Sequence, residues 1–231
     1  MAGTKRSRAL GLVAATAAIV ALGAGVAWAG EDVAAQVVCC NYSKSTYFSD
    51  QGETANFINP VGSGTSHNVT AKLKGPDGKP LFRSKTIGEG KTSEIAGLKY
   101  LSGGSYKFYC TIHEVSATYL VSGNKGTPVA RPKIDVTLPS QALDKVRSSG
   151  KLSVKVKALT QSAGVSLEAR KGGKLLGTKS GLTLSAGASR TLTLSLTSSG
   201  RKALKGLTSA AVAVKGSVPF GKPDSASRTL R

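Results

Sequence analysis

The sequence predicts an all-β protein made of two small β-sandwiches. Aromatic residues make up only 5% of the 231 residues, whereas glycine alone contributes 28, and Ser, Thr and Val are abundant. This composition favours small sandwiches over helical bundles. Short segments that alternate apolar and polar residues recur between turn residues, which is the pattern of half-buried antiparallel strands.

In the first half, six segments predict strands separated by turns. They are residues 33–40, 54–59, 67–74, 79–87, 106–110 and 118–122. Residues 75–78, with the sequence Gly-Pro-Asp-Gly, form one of the turns, and residues 89–91 form another. Strands at this spacing predict a Greek-key sandwich or barrel over residues 30–122.

Residues 123–132 contain Gly and Pro, break the strand pattern and predict a linker. Beyond it, five more segments alternate strictly. They are residues 134–138, 152–156, 165–169, 192–196 and 211–214. A short helix is predicted near residue 200, with Ser198 or Ser199 as its cap. Residues 133–231 are therefore expected to form a second, Ig-like β-sandwich.

The N-terminus has the features of an export signal. Basic residues between positions 5 and 8 precede an apolar run from Ala9 to Val26, and Ala27-Trp28-Ala29 forms a cleavage site. A signal peptide over residues 1–29 and a secreted or cell-surface protein are expected. The apolar run is also nearly long enough to span a bilayer, so an uncleaved anchor is the alternative.

The formal net charge of +20 is divided unevenly along the chain. Residues 131–231 carry nineteen basic and four acidic side chains, whereas residues 30–130 carry ten basic and eight acidic ones. Attraction to polyanions of this kind is not specific, and the compartment decides which one the protein meets. Outside the cell, cell-wall polyanions or an anionic membrane surface are the expected partners of the second half, rather than nucleic acid.

Both histidines of the chain lie in contexts that suggest metal binding. His67 follows a strand-like segment, Cys110 ends another, and His113 comes three residues after the cysteine. Two imidazoles and one thiolate, with a weak or absent axial ligand, form the trigonal arrangement of electron-transfer copper centres. The alternative is that the histidines and Cys110 are ordinary buried residues.

The sequence around these residues resembles the cupredoxins, the blue copper proteins of the plastocyanin and azurin type. Residues 51–59 (QGETANFIN), followed by His67-Asn68-Val69, are similar to the family block Gly-Asp-Thr-Val-x-Phe-x-Asn, loop, His-x-Val. Residues 104–113 (GSYKFYCTIH) are similar to the block Gly-x-Tyr-x-Phe-x-Cys-x-x-His. This resemblance covers residues 32–122. By pattern alone, the second half resembles β-sandwich modules appended to exported actinobacterial proteins.

The resemblance implies one copper ion per chain, bound by His67, Cys110 and His113. It also implies that Asn68 reaches across to Thr111 and holds the two ligand segments together. Outer hydrogen bonds of this kind fix the orientation of metal ligands.

The family usually adds an axial methionine, and this chain departs from that pattern. The aligned position is Ser116, and the only methionine is Met1. The axial position is then either empty or filled by a backbone carbonyl near Ser66, or by an oxygen of Glu114 or Ser116.

The function implied is that of an exported type 1 copper protein, which carries single electrons to and from an unidentified redox partner protein. The alternatives are copper binding or delivery without redox turnover, and a metal-free structural surface module. No enzyme is expected, because the second half has no His or Cys from which a catalytic triad could be built.

The adjacent Cys39 and Cys40 leave several states open. Neighbours on a strand point to opposite faces, so one buried and one partly shielded thiol is the simplest. A strained vicinal disulfide, an intermolecular bridge and an accessory copper thiolate are the other three.

Overall fold

The computed structural model describes residues 34–38 and 40–231. The predicted signal peptide and Cys39 therefore lie outside the described residues, and Cys40 is exposed. The predicted all-β class is confirmed, since the described residues form fifteen strands, two short α-helices and one 3-10 helix. In this part of the chain, no helix has the length and apolarity needed to cross a bilayer.

The first half folds into two four-stranded sheets. Its strands are β1 (Ala35–Val38), β2 (Asn41–Tyr42), β3 (Thr46–Gln51), β4 (Asn56–Asn59), β5 (Thr70–Ala71), β6 (Lys91–Glu94), β7 (Gly104–Tyr109) and β8 (Ser116–Gly126). The strand orders are β2-β1-β4-β6 and β3-β8-β7-β5. Strand β1 is parallel to β4, and β3 is parallel to β8. Parallel neighbours need crossover connections, so the chain passes from one sheet to the other instead of forming a simple meander.

Phe108 lies at the centre of the aromatic core of this half. Its ring centroid is 4.8 Å from that of Tyr42 and 5.1 Å from that of Tyr119. Phe82 and Tyr47 complete the cluster at 6.1 and 6.0 Å. Tilted and edge-on pairs at these distances add about 0.5–1.5 kcal/mol each to the energy of burial. The cluster is therefore rigidly packed, and its central residue, Phe108, precedes Cys110 by two residues.

The prediction of a strand over residues 79–87 was wrong. This segment, which follows the 67–74 region, forms isolated bridges and no regular strand. Pro80 has no N–H to give to a ladder. Farther along, the Val69 N–H donates to the Ser84 hydroxyl at 2.9 Å, where a ladder would use a carbonyl oxygen. The segment still follows its neighbour closely, because the Ala71 N–H donates to the Phe82 carbonyl at 3.0 Å.

Strand β8 is longer than predicted and shortens the linker. The sequence predicts a strand that ends at Ser122, but the structure continues it to Gly126, which pairs with Gln51. Gly126 has φ of 67° and approaches Gln51 so closely that a Cβ would collide with its carbonyl group. Gly126, which was predicted to lie in the linker, thus makes a close backbone contact within the sheet.

The second half folds into a three-stranded and a four-stranded sheet with two short helices. Its elements are β9 (Ile134–Thr137), α1 (Leu143–Ser149), β10 (Lys151–Ala158), β11 (Ser162–Lys171), β12 (Lys174–Leu184), β13 (Ser189–Ser195), α2 (Ser198–Leu204), β14 (Ala210–Ser217) and β15 (Asp224–Leu230). The strand orders are β13-β10-β9 and β12-β11-β14-β15. Between the sheets lies a core of Val, Leu, Ile and Ala.

The five strands predicted for this half correspond to β9, β10, β11, β13 and β14. The sequence did not predict β12, β15 or α1. Helix α2 has Thr197 as its cap, one residue before the predicted serines, and the Gly200 N–H donates to the Thr197 hydroxyl at 2.9 Å. This is the usual hydrogen bond from the third helical position to a capping side chain.

The two halves contact each other through Phe220, in the turn between β14 and β15. Its N–H donates to the Asp77 carboxylate at 2.9 Å, and the Arg83 guanidinium lies 4.5 Å from its ring centroid. The ring also packs against Tyr100 at 5.8 Å and against Gly97, where a Cβ would lie 2.6 Å from the nearest ring atom. Only a glycine at position 97 leaves room for this ring.

Candidate metal centre

His67 is held in place by backbone pairing on both sides of its peptide. Its N–H donates to the Ile87 carbonyl and the Ile87 N–H donates to the His67 carbonyl, both at 3.0 Å. The Asn59 side-chain amide bonds the Thr65 and Ile87 carbonyls at 2.9 and 3.0 Å. The His67 side chain is fully buried. Its imidazole therefore has a fixed position before any ligand binds.

Cys110 directly follows β7, and a tight loop returns the chain to β8. The Cys110 N–H donates to the Val115 carbonyl and the Glu114 N–H donates to the Cys110 carbonyl, both at 2.9 Å. Glu114 has φ of 58°, a left-handed conformation that is uncommon for a residue with a side chain. This closure places the half-buried His113 beside the cysteine that precedes it.

The three predicted ligands converge. Cys110 Sγ lies 3.7 Å from His67 Nδ1 and 3.8 Å from His113 Nδ1. The two imidazole centroids are 4.5 Å apart. Within residues 34–38 and 40–231, this is the only group of three or more His, Cys, Asp or Glu side chains with ligand atoms close enough to hold a metal ion.

The distances from the sulfur to the nitrogens are short enough for one metal ion to be bound by all three side chains. Metal–sulfur and metal–nitrogen bonds of about 2.3 and 2.0 Å, the values for zinc, would separate the two atoms by about 3.5–3.7 Å at tetrahedral to trigonal angles. The separations of 3.7 and 3.8 Å are close to this range.

Asn68 joins the two ligand-bearing segments, which lie far apart in the sequence. Its amide donates to the Thr111 hydroxyl at 2.8 Å, and its carbonyl oxygen accepts the Thr111 N–H at 3.1 Å. The same amide also donates to the Thr86 hydroxyl at 2.9 Å. Asn68 is buried, so no water competes strongly for these bonds.

Tyr42 supports Asn68 from the aromatic core, a role that no sequence pattern indicated. Its hydroxyl donates to the backbone carbonyl of Asn68 at 2.6 Å. Burial, and to a lesser degree the neighbouring Cys110, raises the pKa of Tyr42 above its ordinary value. The phenol therefore stays protonated and remains a donor. Asn59 could have been found from the sequence, because it ends the first family-like block.

The side chains proposed as axial ligands lie toward the surface. Glu114 and Ser116 are exposed, and Ser66 is half-buried. The Ser116 hydroxyl donates to the Glu114 carbonyl at 3.5 Å. No distance from Ser66, Glu114 or Ser116 to the cluster bears on these alternatives, so the axial assignment stays a prediction.

We expect Asn68→Ala to weaken metal binding at least about tenfold while the domain stays folded. Loss of an outer hydrogen-bond partner commonly costs a metal site about 10–100-fold in affinity. The unfolding free energy should fall by about 1–3 kcal/mol, because the hydrogen bonds from the buried Asn68 side chain to Thr111 and Thr86 are lost. Competition titration and chemical denaturation measure the two effects. Asn124→Ala, an exposed control, should change neither, and equal affinities of the two variants would contradict a supporting role for Asn68.

Comparison with known proteins gives solved structures only. No family model matches the chain, and no curated protein matches it. Among the similar structures is a reduced Cu(I) form at pH 4 of an amicyanin variant, with 18% identity, a TM-score of 0.34, and coverage of 41% of this chain and 85% of that chain. Amicyanin from Paracoccus versutus has 24% identity, a TM-score of 0.32, and coverage of 40% and 83%. The sequence identities and the TM-scores are all low, so the assignment of the site rests on its own geometry.

Proposed function

We propose that the protein binds one copper ion through His67, Cys110 and His113 and carries single electrons. The observation that supports this most directly is that two imidazole Nδ1 atoms lie 3.7 and 3.8 Å from one thiol sulfur. This donor set is that of electron-transfer copper centres.

The donor set favours copper over zinc. Structural zinc sites are almost always tetrahedral, and catalytic zinc sites keep a water or substrate as the fourth ligand. Here three side chains of the described residues come together, and two of them, His67 and Cys110, are fully buried. Such a site leaves little room for a fourth ligand to approach.

The surroundings of the ligands favour electron transfer over storage. Bound copper supplies one-electron chemistry between Cu(I) and Cu(II), which prefer different geometries. The Asn68–Thr111 bonds and the paired His67 and Ile87 peptides keep the ligands from rearranging. A rigid compromise geometry lowers the cost of each electron transfer. His113 is half-buried and offers the shortest route from the site to a partner.

Redox potentiometry of the copper-loaded chain tests this proposal. One equivalent of Cu(II) should bind and give an intense visible thiolate band that disappears and returns over repeated reduction and oxidation. Release of the metal on reduction would instead support copper delivery. Failure to bind copper would support a metal-free module. Export, the absence of enzymatic activity and a redox partner protein stay predictions beside this proposal.

A further inference from the structure

A row of lysines lies along one outer face of the second half. Strand β10 buries its even-numbered residues and exposes Lys151, Lys155 and Lys157 on the opposite face. Successive residues of a strand alternate between faces, so these three side chains project from the same side. At about 3.3 Å per residue, they extend over about 20 Å. Lys145 on α1, which is also exposed, continues the row, and these four residues form the lysine stripe.

Hydroxyl side chains flank the lysine stripe. In the cross-strand register, Lys155 lies between Thr137 and Thr191, and Lys151 lies opposite Ser195. The remaining residues on this face of the three strands are Ser153, Ser189, Thr193 and Asp135. Within the three strands the face has no apolar side chain and one acid, which pairs in register with Lys157. It is therefore flat, positively charged and rich in hydrogen-bond donors.

A polar cavity lies at the Lys145 end of the lysine stripe. Its volume is about 570 Å³, and Lys145, Lys151, Ser149 and Thr193 are among the residues that line it. Helix α1 and strands β10 and β13 thus line one recess with two lysines and two hydroxyl residues. Lysine binds phosphate as a point charge, and Ser and Thr hydroxyls bond phosphate oxygens.

The composition of the face narrows the class of ligand. Proteins that bind single-stranded nucleic acid without sequence preference stack bases on aromatic side chains. The one aromatic residue of this half, Phe220, packs against the other half. Peripheral membrane binding usually inserts apolar side chains, and this face has none to insert. The class of ligand that remains is a linear polymer that the protein recognises through the charged backbone of the polymer.

We propose that the lysine stripe binds a linear phosphate-bearing polymer without bases, which lies along β10 with one end in the cavity beside Lys145. The full chain should bind inorganic polyphosphate in a fluorescence anisotropy titration. The variant that tests the site replaces the whole stripe: Lys145→Gln, Lys151→Gln, Lys155→Gln and Lys157→Gln. The control removes four charges from the strands of the other sheet: Lys171→Gln, Lys174→Gln, Lys179→Gln and Lys215→Gln.

The stripe variant should lose affinity by at least about tenfold, and the plot of log affinity against log salt should become shallower by about 3 units for four lost contacts. The control should stay within about threefold of the unaltered chain. A variant with Arg in place of all four stripe lysines should bind polyphosphate as the unaltered chain does, which would show that charge at these positions matters. Circular dichroism verifies that each variant is folded.

Three results would overturn the proposal. Equal losses in the stripe and control variants would mean that binding follows total charge. Tighter binding to vesicles of phosphatidylglycerol than to polyphosphate would assign the face to a membrane. Tighter binding to single-stranded DNA than to polyphosphate would assign it to nucleic acid.

Discussion

Cys110→Ser is expected to abolish the thiolate-to-copper band completely. The sulfur is fully buried and lies 3.7 and 3.8 Å from the two imidazole Nδ1 atoms, so no other described side chain can replace it. A serine oxygen is a hard, poorly ionised donor, whereas copper centres of this kind depend on a soft thiolate. Copper affinity should fall by more than the roughly 10–100-fold that loss of an outer partner costs. Visible absorption and competition titration measure both effects.

Cys40→Ser is the matched control, because it makes the same chemical change at an exposed cysteine. This variant should keep both the band and the affinity of the unaltered chain. If Cys110→Ser and the unaltered chain titrate alike, the site has been assigned to the wrong residues. Loss of the band in Cys40→Ser would indicate that the cysteine pair near the N-terminus takes part in binding copper.

Phe108→Ala is expected to have the largest effect on stability in the first half. The ring is fully buried and lies within 6.1 Å of four other aromatic rings. Truncation of a buried Phe to Ala typically costs about 3–5 kcal/mol, because apolar contacts are lost and a cavity remains. Small domains have total stabilities of about 5–15 kcal/mol. Chemical denaturation should therefore show a much lower midpoint, and copper affinity should fall with it.

Phe48→Ala provides a control in the same sheet. Phe48 lies on β3 with 57% of its surface exposed, and so has much less apolar area to lose. Its unfolding free energy should change by less than about 1 kcal/mol. Similar losses in the two variants would show that the aromatic cluster does not stabilise this half in the way described.

The cluster of His67, Cys110 and His113 could be predicted from the sequence because it depends on local spacing. Cys110 and His113 belong to one short loop, and His67 follows a recognisable block. Strand β3 could not be predicted, because its burial runs against hydropathy: Phe48 is exposed, whereas Ser49 is buried and bonds the Glu53 carboxylate at 3.3 Å. Here the tertiary position of the strand overrides its residue pattern.

Contacts between distant residues account for most of what the sequence did not reveal. Tyr42 reaches Asn68 across 26 residues, and no local pattern marks that pair. Phe220 meets Asp77 across 143 residues, although the sequence suggested two halves joined only by a linker. Each of these contacts depends on the complete topology, so single-sequence patterns carry no signal for it.

The packing of Phe220 against Gly97 and Arg83 fixes how the two halves face one another. A flexible tether would let His113 sample every direction relative to the second half. With the Phe220 ring packed in this way, the fold sets the angle between the lysine stripe and the cluster of His67, Cys110 and His113. On the two proposals above, a molecule bound to a polymer through the lysine stripe would present His113 at a constant tilt to that polymer.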